Sequence, residues 1–264
     1  MSAPSMAASI TVKGFAGNLS VNDGGTGAAT PVLFVHSLAG SAAQWLPQLD
    51  HFRDTRRAVA FDWRGHGESD PSPTNDYSVQ AIAEDIAVVA DKLALSRFVL
   101  VGHSMGAAAA IAYAASHGDR VAGLVLEGIS GRIDDKIAKP IIEALDRNYE
   151  EQMDEHWGRL LENSSLAAQL LVNRDRAVLT KTQTLAMIHA TFAYDPIPDL
   201  GQYEGPKLTI ISDADDTQFA LHRLTPGLPV HIMEGTSHWM HLDRPFEFNQ
   251  LLDDFLAKPS VRGG

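Results

Sequence analysis

The stretch "FVLVGHSMGAAAA", residues 98–110, constrains the fold more than any other part of the chain. Its apolar opening predicts a buried β-strand, and its run of alanines predicts a helix that can pack closely. Ser104 therefore lies at a sharp strand-to-helix turn, where the glycines at 102 and 106 relieve the crowding between the two backbone segments. Such a turn would expose the serine hydroxyl at the N-terminus of a helix.

The rest of the chain alternates short β-forming stretches with helical patterns, which is typical of a mostly parallel sheet covered by helices on both faces. Eight strands are predicted: a hairpin of "ITVKG" and "NLSVN", then "PVLFVHS", "RAVAFDW", "RFVLVGH", "VAGLVLEG", "KLTIISD" and "PVHIMEG". An apolar stripe at helical spacing, from Val79 to Leu93, predicts a helix packed on the sheet. "PFEFNQLLDDFLAK", which begins at Pro245, predicts the helix that closes the domain.

Residues 131–205 break this alternation, because their pattern is helical throughout. We interpret them as a helical cap inserted into an α/β core made of residues 1–130 and 206–264. One predicted cap face carries Met153, Trp157, Leu160 and Leu161, and another carries Leu185, Ile188, His189 and Phe192. Most of these side chains are expected to pack within the cap itself. Trp157 and Phe192 are the candidates for substrate contacts.

Several ordered motifs resemble those of the α/β-hydrolase family. The "GHSMG" turn resembles its nucleophile elbow, and "FDWRGHGESD", residues 61–70, resembles the Asp-x-Arg-Gly-x-Gly-x-Ser turn after the fourth strand. The resemblance extends from about Ile10 to Leu256. It implies an eight-stranded α/β-hydrolase sheet, a triad in the order serine, acid, histidine, and no metal or organic cofactor. Asp62 and Arg64 are interpreted as residues that hold their loop.

The catalytic base implied by the resemblance lies near the C-terminus, in "MEGTSHWMHLDRP" after the last predicted strand. A serine hydroxyl needs such a base within hydrogen-bond reach, itself oriented by a carboxylate. We assign the base to His238, and His241 is the competitor. The other interpretation of His241 is a packed histidine that supports the site. The remaining histidines, including His103 beside the nucleophile, are interpreted as structural. Trp239, next to the base, is a third candidate for substrate contact.

The acid is expected just past the seventh strand, where "KLTIISDADDTQF" supplies three carboxylates. The family often has a Gly-x-x-Asp pattern here, and Ser212 replaces its glycine. Counting three residues onward selects Asp215. Two alternatives stay open: Glu127, at the end of the sixth strand, and Asp213.

The oxyanion of a tetrahedral intermediate needs two N–H donors. The residue after the nucleophile, Met105, would supply one of them. The resemblance of "HSLAG" to the family's His-Gly-x-x-Gly stretch makes Leu38 the second, with Ser37 in the usual glycine position. The Ser-Leu pair also resembles enol-lactone hydrolases within the family.

Charge and cysteine content exclude several other classes. The 33 acidic against 21 basic residues give a net charge of −12, which would repel nucleic acid and anionic membranes. The absence of cysteine excludes a thiolate nucleophile and any Cys-ligated metal site. "MSAPSMAASI" lacks the features of a signal peptide, and no apolar run has the length of a membrane span. A cytoplasmic location is therefore expected, whereas the oligomeric state is not predicted.

These features together predict a serine hydrolase that cleaves a small apolar ester or lactone through an acyl-enzyme. A C–C bond hydrolase, an amidase or a cofactor-free perhydrolase on the same triad remain alternatives. A different class is also open: a ligand receptor on a hydrolase scaffold, with the cap as a partner surface.

Overall fold

The structure is a computed structural model, and it describes residues 8–262. The prediction about a signal peptide falls mostly on residues 1–7 and so lies outside the described residues. Eight strands form one sheet in the order β1-β2-β4-β3-β5-β6-β7-β8. They are β1 (Ala8–Lys13), β2 (Asn18–Gly24), β3 (Ala29–Val35), β4 (Arg56–Phe61), β5 (Phe98–His103), β6 (Val121–Glu127), β7 (Lys207–Ser212) and β8 (Val230–Met233).

Strand β2 pairs antiparallel with both β1 and β4, and every other neighbouring pair is parallel. All residues of β5 and β6 are buried, as expected for central parallel strands covered on both faces. The predicted fold class is confirmed. Because the strands from β3 to β8 are parallel to one another, their carboxyl ends meet at one edge of the sheet.

Besides the strands, the described residues form helices, and some of these cover the two faces of the sheet. In chain order they are α1 (Leu46–Phe52), α2 (Val79–Lys92), α3 (Met105–Ser116), α4 (Asp135–Arg147), α5 (Tyr149–Leu160), α6 (Leu166–Arg176), α7 (Lys181–Ala193), α8 (Pro196–Gln202), α9 (Leu221–Leu224), α10 (Met240–Asp243), α11 (Pro245–Ala257) and α12 (Pro259–Arg262), with a 3₁₀ turn at Ala42–Trp45.

Alternate side chains of β3 divide the core into two layers. Leu33 and Val35 point into the layer that contains α2 and α3. Val32 and Phe34 point into the layer that contains α1 and α11. This alternation follows from the period of two in a strand, and it explains why both predicted helices, at Val79 and at Pro245, present an apolar face to the sheet.

Between β6 and β7 the chain is helical, from α4 to α8. Met153 and Trp157 on α5 are buried, as the predicted stripe requires. On α7, Leu185 and Ile188 of the predicted stripe are partly buried against the cluster that contains Trp157. The buried residues of this helix are Thr184 and Met187, and Met187 packs into the core cluster. Within residues 8–262, the structure contains no helix long and apolar enough to cross a membrane.

Candidate active site

The turn between β5 and α3 holds Ser104 in a strained conformation, with φ 52° and ψ −116°. A positive φ is uncommon for a residue with a side chain, and it recurs at functional sites where the surroundings enforce it. A Cβ on Gly106 would lie 2.4 Å from the carbonyl oxygen of His36, and one on Gly102 would lie 2.6 Å from Cα of Ala107. The two glycines therefore allow the close backbone approach that the sequence predicted.

The backbone around Ser104 leaves its hydroxyl available. Its N–H donates to the carbonyl oxygen of Glu127 at 2.8 Å, which fixes the turn against the end of β6. The hydroxyl does not cap helix α3, and Ser104 is partly exposed. Among the described residues it makes no hydrogen bond to His238; catalytic hydrogen bonds in free enzymes often tighten only when substrate binds. Met105 is the first residue of α3, so its N–H has no acceptor within the helix.

A histidine and a carboxylate meet beside this turn. His238 lies on the loop after β8, and its Nδ1 is 2.9 Å from Oδ2 of Asp215, on the loop after β7. The N–H of Asp215 donates to Oγ of Ser212 at 3.1 Å, so the residue that replaces the family's glycine also positions the carboxylate. Because β7 and β8 are parallel neighbours, both loops leave the same edge of the sheet.

Electrostatics in this pair favour the charged forms of both groups. Burial alone would raise the pKa of Asp215, but the charge and hydrogen bond of His238 hold that pKa below its ordinary value. Burial alone would lower the pKa of His238, yet the charge and hydrogen bond of Asp215, with a smaller contribution from Glu127, raise it. The pair can thus stabilise an imidazolium that forms during proton transfer.

The two other candidate carboxylates have different partners. Oδ1 of Asp213 accepts from the N–H of Gly235 at 2.9 Å, which ties the loop after β7 to the turn after β8. Glu127 is fully buried and lies 2.9 Å from Nδ1 of His241, which is also fully buried. The structure therefore brings His238 to Asp215, and His241 to Glu127.

His103, Glu127 and His241 form a buried group whose candidate ligand atoms lie within 4.8 Å of one another. Glu127 and His241 bond each other, and Nε2 of His103 bonds the carbonyl oxygen of His238 at 2.9 Å. Each residue also has one buried atom without a hydrogen bond among the described residues: Nδ1 of His103, Oε2 of Glu127 and Nε2 of His241. The ring of His241 also stacks on Trp45, with 4.1 Å between centroids. Through the bond from His103, the group supports the His238 loop from behind.

The loop after β3 carries Leu38, the predicted second oxyanion donor. Its neighbour Ala39 has φ 57°, and the N–H of Ala39 donates to Nε2 of His66 at 3.1 Å. Burial, followed by the charge of His36, lowers the pKa of His66 well below its ordinary value, so its ring is neutral and can accept this bond. The Asp62 carboxylate accepts from the N–H of Ala42 at 2.7 Å, in keeping with its expected loop-holding role.

Sequence reasoning missed the part that His36 and His66 play in holding this loop. The ring of His36 stacks on Trp63 at 5.1 Å, and its backbone oxygen accepts from Nε1 of Trp63 at 3.0 Å. Burial lowers the pKa of His36 to about 3, so this ring is also neutral. The available signal was the histidine within "WRGHGES", between two glycines that both adopt a positive φ.

The cap reaches the site through α5. The N–H of His238 donates to the carbonyl oxygen of Leu160 at 3.2 Å. Trp157 lies beside Trp239, with 6.1 Å between ring centroids, and both side chains are buried. The third predicted contact, Phe192, is half-buried on α7 and lies outside the cluster that contains the two tryptophans.

The fold agrees with comparisons to known proteins. The sequence profile described as "Alpha/beta hydrolase family" matches residues 32–251, and the chain therefore belongs to that family. It is 25% identical, over 91% of its length and 98% of the relative's, to a putative 2-succinyl-6-hydroxy-2,4-cyclohexadiene-1-carboxylate synthase of Bacillus subtilis. It is 29% identical, over 90% of each chain, to a 2-hydroxy-6-oxononadienedioate/2-hydroxy-6-oxononatrienedioate hydrolase of Paraburkholderia phymatum.

Among solved structures, the fold resembles that of Est816, described as an N-acyl homoserine lactone degrading enzyme. The TM-score is 0.78 at 22% identity, and the match covers 93% of this chain and all of the other. At that identity the likeness concerns the fold. The family and its relatives support a hydrolase.

Proposed function

We propose that this chain hydrolyses a carboxylic ester or lactone, with Ser104 as nucleophile, His238 as base and Asp215 as acid. The observation that carries the proposal is the strained Ser104, at φ 52°, on the same sheet edge as the 2.9 Å contact between His238 and Asp215. Nucleophile, base and orienting carboxylate are the three parts that acyl transfer to a serine requires.

In the proposed reaction, Oγ of Ser104 adds to the substrate carbonyl carbon while Nε2 of His238 takes the hydroxyl proton. Asp215 holds the imidazole in the tautomer that accepts at Nε2 and stabilises the imidazolium. Collapse of the tetrahedral intermediate breaks the ester bond, and the imidazolium returns the proton to the leaving alcohol. His238 then activates water against the acyl-enzyme, which releases the acid and regenerates Ser104. These steps need no metal or organic cofactor.

The oxyanion would be held by the N–H groups of Met105 and Leu38. The position of Met105 at the N-terminus of α3 supports its assignment, since free N–H groups and the helix dipole both favour negative charge there. The left-handed Ala39 and its bond to His66 support that of Leu38, because they hold the loop in a defined turn.

Residues 131–205 are proposed to act as a lid over this site. Trp157, Leu145 and Val172 from this region pack in one cluster with Ala39 of the oxyanion loop and with Trp239. Trp157 and Trp239 would line an apolar part of the substrate pocket, and Phe192 would contribute only if the lid moves. The bond type remains the open part of the proposal, because the same triad also serves C–C hydrolases, amidases and perhydrolases.

The decisive experiment is turnover of p-nitrophenyl butyrate by wild type and by Ser104→Ala. Wild type should release p-nitrophenol repeatedly, and the variant should fall to background while keeping its circular dichroism spectrum. Phenylmethylsulfonyl fluoride should add one adduct, located on Ser104 by peptide mass spectrometry. Ser116→Ala is the matched control at the other end of α3, where the hydroxyl bonds only the Ala112 carbonyl at 3.4 Å.

A panel of esters, lactones, amides and cleavable diketones then ranks the bond types. Release of a single slow equivalent by wild type would instead favour the receptor, and an adduct on another residue would contradict the nucleophile assignment.

A further inference from the structure

The C-terminal end of helix α5 brings a polar pair of side chains to the proposed site. The carbonyl of Leu160 accepts from the N–H of His238 at 3.2 Å, so the last turn of the helix lies directly on the base. Arg159 precedes Leu160, and His156 lies one turn earlier on the neighbouring part of the helix surface. His156 is half-buried and Arg159 is exposed.

Arg159 has no carboxylate partner within residues 8–262. Its guanidinium makes one hydrogen bond there, from Nη2 to Nδ1 of His156 at 3.2 Å. Arg174, on the next cap helix, instead pairs with Asp175 at 2.6 Å. The chain has 33 acidic side chains, yet none of the described ones pairs with this arginine beside the candidate triad. Most of the N–H donors of Arg159 are therefore free to bind another group.

The bond from Arg159 also determines the protonation of His156. Because Nδ1 accepts, the proton of the neutral ring is on Nε2, which becomes a donor. Burial, followed by the charges of Arg159 and His238, lowers the pKa of His156 to about 4, so the ring is neutral near pH 7. The pair therefore offers guanidinium N–H groups and one imidazole N–H, and the guanidinium carries the positive charge.

The charge of Arg159 reaches the proposed triad. It lowers the pKa of both Asp215 and His238, although in each case it contributes less than burial and the contact between the two residues. A second cap arginine, Arg176, lies over the ring of Trp157 at 5.6 Å. The apolar surface of the tryptophans is thus bordered by positive charge in a protein whose net charge is −12.

We propose that Arg159 and Nε2–H of His156 bind a carboxylate of the substrate, so that the site takes an anionic ester or lactone. This inference rests on the proposed hydrolase function and narrows it. The apolar part of the substrate would contact Trp157 and Trp239, and its carboxylate would reach the guanidinium at the edge of α5. A guanidinium suits this role because its planar donors match the two oxygens of a carboxylate.

Two esters of equal length test the inference: mono-(p-nitrophenyl) glutarate, which ends in a carboxylate, and p-nitrophenyl pentanoate, which ends in a methyl group. Wild type should prefer the glutarate by about tenfold or more in kcat/KM, since one charge-assisted contact contributes on that order. Arg159→Gln should abolish the preference through KM for the glutarate. The measure is the ratio of the two kcat/KM values, because the charge of Arg159 also lowers the pKa of His238 and its loss would shift both rates together. Arg159→Lys should restore part of the preference.

Arg147→Gln is the matched control, because Arg147 is an exposed cap arginine whose Nε donates to the backbone oxygen of Glu143 at 3.1 Å. It should keep the wild-type preference. An equal rate on both esters in wild type, or a preference that survives in Arg159→Gln, would overturn the inference.

Binding is measured separately from turnover, by quenching of tryptophan fluorescence when glutarate is added to Ser104→Ala. In Ser104→Ala, glutarate should bind more tightly than pentanoate, and its binding should weaken in high salt. The double variant Ser104→Ala/Arg159→Gln should bind the two compounds equally.

If wild type cleaves neither ester but glutarate still binds in an Arg159-dependent manner, the proposed function fails and the carboxylate site stands. If the pentanoate is cleaved and glutarate does not bind, the carboxylate site fails and the proposed function stands. If neither turnover nor binding occurs, both are wrong.

Discussion

At the scale of single residues, the site combines backbone strain with paired charges. Ser104 has a positive φ, and its N–H bond to the end of β6 holds it there, while the glycines at 102 and 106 leave room for the close approach of the backbone. Beside it are two histidine–carboxylate pairs, one that is partly accessible and one that is fully buried. The partly accessible pair, His238 and Asp215, could exchange protons with substrate and solvent. The fully buried pair, His241 and Glu127, could only support the structure.

The identity of the acid is tested by three isosteric substitutions. Asp215→Asn should lower kcat by a factor on the order of 10⁴ with little change in KM. The substitution removes the carboxylate that orients the His238 imidazole and stabilises its protonated form. Glu127→Gln should keep kcat within about tenfold, since its carboxylate contacts His241 rather than the base. Asp213→Asn should be nearly silent. Stopped-flow kinetics on one activated ester measures kcat, with circular dichroism as the folding control. A large loss of kcat in Glu127→Gln alone would contradict the assignment of Asp215 as the acid.

The pH dependence follows from the raised pKa of His238. The base must be neutral to accept the serine proton, so kcat/KM should rise with pH through a transition above the ordinary histidine value of about 6.5. In Asp215→Asn the transition should move to lower pH, because the carboxylate that raised the pKa is gone. A pH–rate profile of both proteins checks this, and a wild-type transition below the ordinary value would contradict it.

At the scale of elements, a buried carboxylate joins the cap to the oxyanion loop. Asp175 on α6 accepts from Oγ of Ser41 at 2.8 Å and from Nε2 of Gln44 at 2.9 Å. Both partners follow the loop that carries Leu38. Because the donors are in the core and the acceptor is in the cap, these bonds exist only when the two parts are in contact.

Asp175→Ala should therefore loosen the cap without unfolding the core. Two buried donors would lose their acceptor, and hydrogen exchange should become faster in α6 and in residues 36–45. We expect kcat to fall by about tenfold, because the Leu38 donor would no longer be held in place. Exchange mass spectrometry is the measurement, with the exposed Asp154→Ala on α5 as the control. Unchanged exchange in both segments would show that these bonds do not hold the cap.

At the scale of the whole molecule, long-range buried contacts hold the sheet and its loops together. The guanidinium of Arg64, on the loop after β4, forms two hydrogen bonds to the carboxylate of Asp85 on α2, at 2.9 and 2.8 Å. The side chain of Arg64 is 4% exposed and that of Asp85 is fully buried. This contact fixes α2 against the loop that also positions Asp62 and His66.

Arg64→Gln should lower the free energy of unfolding by about 3–5 kcal/mol, because it leaves the Asp85 carboxylate buried without a counter-ion. Urea denaturation of the full chain measures the change. Arg132→Gln is the control: its pair with Asp135 has side chains that are 56% and 70% exposed, and its loss should change stability by at most about 1 kcal/mol. If both substitutions lowered the free energy of unfolding by a similarly small amount, the structural role of Arg64 would be contradicted.

The sequence by itself determined the features that depend on neighbouring residues. The turn at Ser104 needs only the two glycines and the flanking strand and helix patterns, all within residues 98–110, and the helix at Val79 follows from its own apolar spacing. Side-chain alternation and helical period are local properties, so they can be read without knowing the fold. The family resemblance added the order of the triad.

Only the tertiary structure decided which polar groups meet. Asp215 and His238 are 23 positions apart, Glu127 and His241 are 114 apart, and Asp175 and Ser41 are 134 apart. Sequence patterns left Asp215, Asp213 and Glu127 open as partners, because each lies at or just past the end of a strand on the same sheet edge. The order β6-β7-β8 and the packing of the cap bring each carboxylate to one partner, and these contacts come from the packing of the whole chain rather than from the residues near each carboxylate.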